Sequence, residues 1–188
     1  MRQKPLDKRE TLPYRQNHGS NSTAPCGRIM LLGATMPPSL QLFLIRIGFP
    51  ASAGRVLDIA RFESRNLGHN FIGSEHVLCA LVRIPDLRIH QLLIQRSVDL
   101  EKIRTGVVSV DTLGPHQRSR KFRPMTPRLK RILPIAESES KRLPHLSIPQ
   151  SLFLGILIEG QGVAIRVLKQ LDFDVGQLRH DLETPKNC

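Results

Sequence analysis

Tryptophan is absent from this chain, tyrosine occurs once and phenylalanine seven times. Any core must therefore be built from Leu, Ile, Val and Ala, which suit helices packed on helices better than β-sandwich strands rich in aromatic and β-branched residues. Cysteine is scarce too. Cys26, Cys79 and Cys188 are odd in number and widely spaced, so they give neither a disulfide framework nor a zinc pattern, and they point to a reducing compartment. No apolar run reaches the ~18 to 20 residues that span a bilayer, since Gly33, Pro37, Pro38 and Arg46 interrupt the stretch from Arg28 to Phe49. Ile29 to Met36 is too short and too far from the start for a secretory signal. Also missing are a G-x-x-x-x-G-K-[ST] phosphate loop, a G-x-S-x-G nucleophile motif and a convincing carboxylate pair, so no sign of ATPase or hydrolase chemistry, or of a cofactor, is found.

Acidic residues are few: 16 Asp and Glu against 28 Lys and Arg give a net charge of +12. That excess favours an anionic partner, whether nucleic acid, an acidic protein face or phosphorylated groups, without choosing among them. Hydrophobic residues make up 40% of the chain, enough for a packed core. Residues 1–48 read as a disordered extension, with Met36 as an alternative start. A transit peptide is the other reading of this basic, polar segment, and Asp7 and Glu10 weaken it.

The informative feature is an internal repeat. At a spacing of 76 residues, Arg55 falls on Arg131, Leu57 on Leu133, Ala60 on Ala136, Glu63 on Glu139, His69 on His145, Ile72 on Ile148 and Leu81 on Leu157. After a one-residue deletion near Glu159, Leu93 meets Leu168, Asp99 meets Asp174 and Ile103 meets Leu178. Each copy reads as four short helices. In the first copy, Ala53, Val56, Leu57, Ala60 and Leu67 form an i, i+3, i+4, i+7 stripe, and Gly68 supplies a left-handed stop. Ser74 is expected to N-cap a second, largely buried helix over 75–84. Pro85 and Asp86 start a third helix with Ile89, Leu92 and Leu93 inward. Asp99 caps a fourth carrying Leu100, Ile103 and Val107. The second copy runs from Pro127, at an N1 position, to Leu182. Pro134 lies inside its first helix, which predicts a kink or a late start. The basic stretch Asp111 to Met125, with Gly114, Pro115 and Pro124, reads as a linker. The expected architecture is all-α: two tandem four-helix units packed together, over 49–110 and 126–183, with 111–125 between them and 184–188 as a tail.

The residues Leu67-Gly68-His69-Asn70-Phe71-Ile72-Gly73-Ser74-Glu75-His76-Val77-Leu78, with Phe49, Ala53, Val56, Leu57 and Ala60 before them, resemble the first copy of the Clp N-terminal (Clp R) repeat. That double repeat precedes the ATPase modules in ClpA- and ClpC-type unfoldases. In the second copy, Thr126-Pro127-Arg128 and Glu159-Gly160-Gln161-Gly162-Val163-Ala164 are similar to the family's T-P-R start and its E-G-E-G-V-A. The resemblance covers 49–183. It implies a protein-binding module without catalysis, serving a Clp chaperone–protease by substrate or adaptor recognition, with Clp ATPase or peptidase subunits or client proteins as partners. It implies no membrane association, and a cytoplasmic setting with the plastid stroma as the alternative. The sequence departs from the pattern where G-T-E-H becomes Pro149-Gln150-Ser151-Leu152, where Gly68 becomes Pro144, where Pro85 and Leu87 replace glycines, and where Pro50 follows Phe49.

In ClpC-type domains the acid of G-T-E-H helps to hold a phosphorylated arginine. The resemblance therefore makes Glu75 and Ser74 candidate ligands for a client or phospho-arginine in the first copy, with Thr126 keeping the helix-start hydroxyl in the second. A carboxylate can accept two parallel guanidinium hydrogen bonds, and a helix N-terminus suits a phosphate. An acid in a first turn is also favoured by the helix dipole alone. The repeated His69 and His145 read as loop-fixing residues rather than metal ligands, and Cys79 as core. Arg118, Arg120, Lys121 and Arg123, within an acid-free run, are candidate contacts for an anion or an acidic partner. They also carry the alternative reading, a nucleic-acid-binding protein. A non-functional remnant of a Clp ATPase is the further alternative.

Overall fold

The apolar stripe of the first repeat folds as read. Ala53, Val56, Leu57 and Ala60 are all buried on α1, Ser52–Asn66. The computed structural model describes residues 52–84, 88–94, 97–111 and 123–185, without the side chains of Ser52 and Ile94. The N-terminal extension, Cys26, Cys188, Arg118, Arg120 and Lys121 lie outside the described residues. Seven further helices follow among those residues: α2 Ser74–Val82, α3 Arg88–Ile94, α4 Leu100–Val110, α5 Pro127–Arg142, α6 Ile148–Glu159, α7 Val163–Gln170 and α8 Val175–Glu183. They form two tandem, pseudo-symmetric four-helix repeats, and no strand occurs among the described residues.

Helices α2 and α6 are pseudo-equivalent and form the centre. All nine residues of α2 are buried, as are Ser151 to Leu157 of α6. A helix that is apolar on every side gains stability only by being surrounded. Accordingly α1 packs on α2, α5 on α6, α4 on α7, and α2 and α6 meet each other. The α4–α7 crossing is close at Gly106, where an added Cβ would lie 2.9 Å from Val167 Cγ1. No single described helix is long and apolar enough to cross a membrane.

Local signals set most helix ends. Gly68 takes φ +71° after α1, a conformation that costs any side chain-bearing residue about 1 kcal/mol or more. The Asp99 carboxylate accepts from Lys102 N at 2.8 Å, and Thr126 Oγ1 accepts from Leu129 N at 3.2 Å. Two expectations are corrected. Ser74 is not the N-cap of α2: Gly73 holds that place in an extended conformation and Ser74 is the first helical residue, because His76 reaches back to take the Gly73 amide. Of the kink or late start expected at Pro134, the late start does not occur, since α5 is already helical from Pro127. The proline lies on the exposed side, where the Lys130 carbonyl that it deprives of a donor can turn to water.

The repeated glutamates share a structural task. Glu63 is fully buried and its carboxylate accepts from Arg104 Nε at 2.9 Å and Nη2 at 3.0 Å, and also from Arg83 Nη1. One carboxylate thus ties α1 to α4 and to the end of α2. Its counterpart Glu139 pairs with Arg142, which also reaches Glu183 at 3.1 Å. Neither role was assigned from sequence, although the Glu63–Glu139 register was visible there.

The stretch read as a basic linker re-enters the core at its far end. Arg123 and Met125 are both buried. Ile72 N donates to Pro124 O at 2.8 Å and Thr126 N to Ile72 O at 2.9 Å, forming a parallel bridge between Ile72 and Met125. The loop after α1 is thereby fastened to the residues that start α5.

Candidate functional site

The loop between α1 and α2 is built around His69 and His76. Gly73 N donates to His76 Nδ1 at 2.9 Å, which leaves that imidazole its proton on Nε2. Nε2 lies 2.9 Å from His69 Nδ1, so His76 donates and His69 keeps its own proton on Nε2. The Phe71 ring stacks on His69 with centroids 5.1 Å apart. Ser64 Oγ lies 2.6 Å from Phe71 O and 3.2 Å from His69 O, and Arg123 Nε donates to His69 O at 2.9 Å. His69 fixes the loop. Its counterpart His145 is exposed, with Nε2 only 3.5 Å from Leu182 O.

Glu75 is folded into this cluster and is only 3% exposed. Its carboxylate lies back over Gly73, where an added Cβ would stand 2.1 Å from Oε1; only glycine leaves that room. Oε1 is 3.1 Å from His76 Nδ1, an atom already accepting the Gly73 amide. Burial, the largest influence, pushes the Glu75 carboxyl above its ordinary range, since desolvation disfavours the charged form. Burial likewise lowers His76 to about 3.

Donor atoms of His69, Glu75 and His76 lie within 4.8 Å of one another, close enough to suggest a metal. The two imidazole nitrogens are 2.9 Å apart, however, shorter than the roughly 3.3 Å between nitrogen ligands of a tetrahedral zinc with bonds of about 2.0–2.1 Å. That spacing belongs to a shared proton. Cys79 is buried, and burial first, with the Glu63 charge, pushes its thiol up to about 12. It supplies no nucleophile at neutral pH.

The Ile72–Met125 bridge brings Thr126 to the same seam as Ser74, although sequence placed the two in separate repeats. Gly162, at φ +91°, completes the seam: an added Cβ there would meet Arg128 Cδ at 2.8 Å and Ser74 Oγ at 3.3 Å. Arg128 Nη1 donates to Glu159 Oε1 at 2.9 Å and Oε2 at 3.1 Å, so the Glu159-Gly160-Gln161-Gly162 turn lies beside the start of α2. Ser74 Oγ is 3.5 Å from Glu75 Oε2. In the second repeat, Gln150 is used in a reciprocal cap. Its N donates to Ser147 Oγ at 3.4 Å, and Ser147 N donates to Gln150 Oε1 at 3.2 Å. Ser151 Oγ donates to Ser147 O at 3.2 Å. Among the described residues of that helix start, Ser147 to Ser151, none is a carboxylate. Of the four basic candidates, Arg123 is the one among the described residues, and it is turned inward rather than displayed.

The family described as the Clp repeat (R) N-terminal domain matches residues 48–171. An ATP-dependent Clp protease ATP-binding subunit ClpA homolog of Porphyra purpurea is 36% identical over 135 residues, covering 71% of this chain and 16% of that protein. The chloroplastic chaperone protein ClpC of Pisum sativum is 35% identical over 132 residues, covering 70% of this chain and 14% of that protein. The chain thus spans about one sixth of the length of these relatives. Among solved structures, the N-terminal domain of the caseinolytic protease associated chaperone ClpD from Arabidopsis thaliana superposes with a TM-score of 0.56 at 22% identity, covering 71% of this chain and 91% of that one. At that identity the likeness speaks for the fold.

Proposed function

The chain belongs to the Clp repeat (R) N-terminal domain family, and from that premise we propose that it is a protein-binding module of the Clp chaperone–protease system. It recognises clients or adaptors and serves a Clp ATPase or peptidase without ATPase or protease activity of its own. Residues 49–110 and 126–183 are its two repeat units. The observation that carries this reading is the pattern of coverage: 70% of the chain aligns with 14% of a ClpC chaperone, the part held by a helical repeat domain. The names of several relatives as chloroplastic support the plastid stroma over the cytoplasm as the compartment.

The seam of Ser74, Glu75 and Thr126 is the proposed client contact. Two hydroxyl residues at helix starts, one acid and the Gly162 turn lie there together. A guanidinium arriving at the seam would pair with the Glu75 carboxylate and draw it out of its fold over Gly73, because an ion pair offsets the burial that raises its carboxyl. The second repeat, with Gln150 engaged in capping, offers no equivalent.

The test is co-elution of the full chain with purified ClpC-type ATPase, together with capture from native lysate, using wild type and Glu75→Gln. That substitution keeps the buried shape and removes only the ability to ionise. Association of both versions with the ATPase, with loss of client proteins from Glu75→Gln alone, is the expected result. Capture of nucleic acid and ribonucleoproteins with no Clp component would overturn the reading.

A further inference from the structure

We infer that Arg61 and Arg65 form a binding site for a phosphate-type oxyanion at the C-terminal end of α1, with the buried Arg123 adding positive charge beside it. The inference does not rest on the Clp reading. Arg61 and Arg65 are four residues apart on one helix, so their side chains share a face. Arg123 comes to the same end of α1 through its Nε hydrogen bond to His69 O, 2.9 Å long. His69 is itself held to the helix by its amide on Ser64 O at 2.9 Å.

The vacancy is at Arg61. Its Nε and Nη2 atoms are buried and have no hydrogen-bond partner. These two nitrogens form the side-on fork of the guanidinium, the edge that grips two oxygens of one oxyanion. A guanidinium does not escape such a position by losing its proton. The surrounding charges make matters worse. Burial first, then the neighbouring Arg65 charge, disfavours the Arg61 cation, and only Asp58 opposes them. Burial, Arg65 and Arg61 act likewise on Arg123. Asp58 is the counter-charge beside Arg61, and burial raises its own carboxyl.

The other repeat shows the balanced form of the same surface. The positions 76 residues on from Arg61 and Arg65 are Glu137 and Lys141, and they pair with each other at 2.6 Å. Where the second repeat supplies its own anion, the first has a second cation and an open fork. A carboxylate ligand would be saturated by one fork. A phosphate dianion has oxygens left for Arg65, and its second charge suits the cluster with Arg123 behind it, so phosphate, free or as a monoester, is the class that fits.

The experiment titrates the full chain, labelled with ¹⁵N-arginine, with inorganic phosphate against sodium chloride at matched ionic strength. Guanidinium Nε–Hε resonances and the thermal midpoint are followed. A saturable shift of a few arginine side-chain signals is expected, with a midpoint rise beyond that in chloride. Arg61→Gln should weaken binding on the order of tenfold, while Arg166→Gln, exposed on α7, leaves it unchanged. Phenyl phosphate in a parallel arm distinguishes the sources: an equal response marks a monoester site, and a response to inorganic phosphate alone marks a free-anion site. Absence of any saturable change, or the same affinity in Arg61→Gln, would overturn the inference. Should Arg61→Gln fail to fold, the wild-type arginine signals decide the matter by themselves.

Discussion

Replacing Glu63 tests whether the buried carboxylate between α1, α2 and α4 fastens the first repeat. Truncating one partner of a buried ion pair typically costs about 3–5 kcal/mol. Here the side chains of Arg83 and Arg104 are 37% and 24% exposed while that of Glu63 is not exposed at all. The two arginines can turn to water when released, and the loss from Glu63→Ala should then be about 2–3 kcal/mol. At about 2–4 °C per kcal/mol for a chain of this size, the thermal midpoint should fall by roughly 4–12 °C. Glu63→Gln keeps the volume and isolates the charge. Combined with Arg104→Gln in a double-mutant cycle, it should show a coupling of about 1–2 kcal/mol. Glu137→Gln is the control, since it breaks the pair with a Lys141 side chain that is 73% exposed and should change stability by less than about 0.5 kcal/mol. Urea unfolding of these five variants, the double variant among them, measures each quantity. If Glu63→Gln shifts the midpoint no more than Glu137→Gln, the fastening argument is wrong.

Other perturbations follow from the same packing. Gly106→Ala should cost about 1–3 kcal/mol by crowding Val167 across the α4–α7 crossing, and Val167→Ala in the same chain should restore part of it; failure of that rescue would remove the contact as the cause. Because His76 is lowered to about 3 in the fold against about 6.5 unfolded, the unfolded chain binds the extra proton between those values. The stability due to a neutral His76 is therefore complete above about pH 6.5 and is lost as pH falls through that window. Glu75, raised by burial, acts in the opposite sense, holding in the fold a proton that the unfolded chain releases and so lowering stability as pH rises. Urea midpoints for wild type should accordingly fall between pH 6.5 and 4 more steeply than for His76→Gln, and parallel profiles would refute the assignment. Pro134→Ala should stabilise the protein by about 1–3 kcal/mol by restoring a helical hydrogen bond on the exposed side of α5, read as a higher thermal midpoint.

The fold was legible because local and long-range signals agreed. The stripe of Val56, Leu57 and Ala60, the left-handed Gly68 and the cap at Asp99 each act within a few residues, and the 76-residue register repeats them. What escaped depended on contacts distant in sequence. Glu63 meets Arg104 across 41 positions, and periodicity cannot indicate which of many arginines will arrive. Ser74 looked like a cap on propensity, but His76 took the Gly73 amide and moved the helix start by one residue. Arg123 counted as one more charge in a basic run; the bridge from Ile72 to Met125 is what draws it inward. The candidate site was thus half visible: Ser74, Glu75 and Thr126 could be named, but not their convergence on one seam or the burial of the acid.

A sequence that has been duplicated need not yield parts that can be separated. Ile72 exchanges both of its backbone hydrogen bonds with Pro124 and Thr126, and α2 lies against α6 and α7. The boundary of heredity, where one repeat gives way to the next, is therefore not a boundary of folding. A polypeptide emerging during synthesis would have to wait for residue 126 before its first loop could close. The smallest inheritable piece that keeps this shape is the pair, so gene fusion or loss should move both halves together.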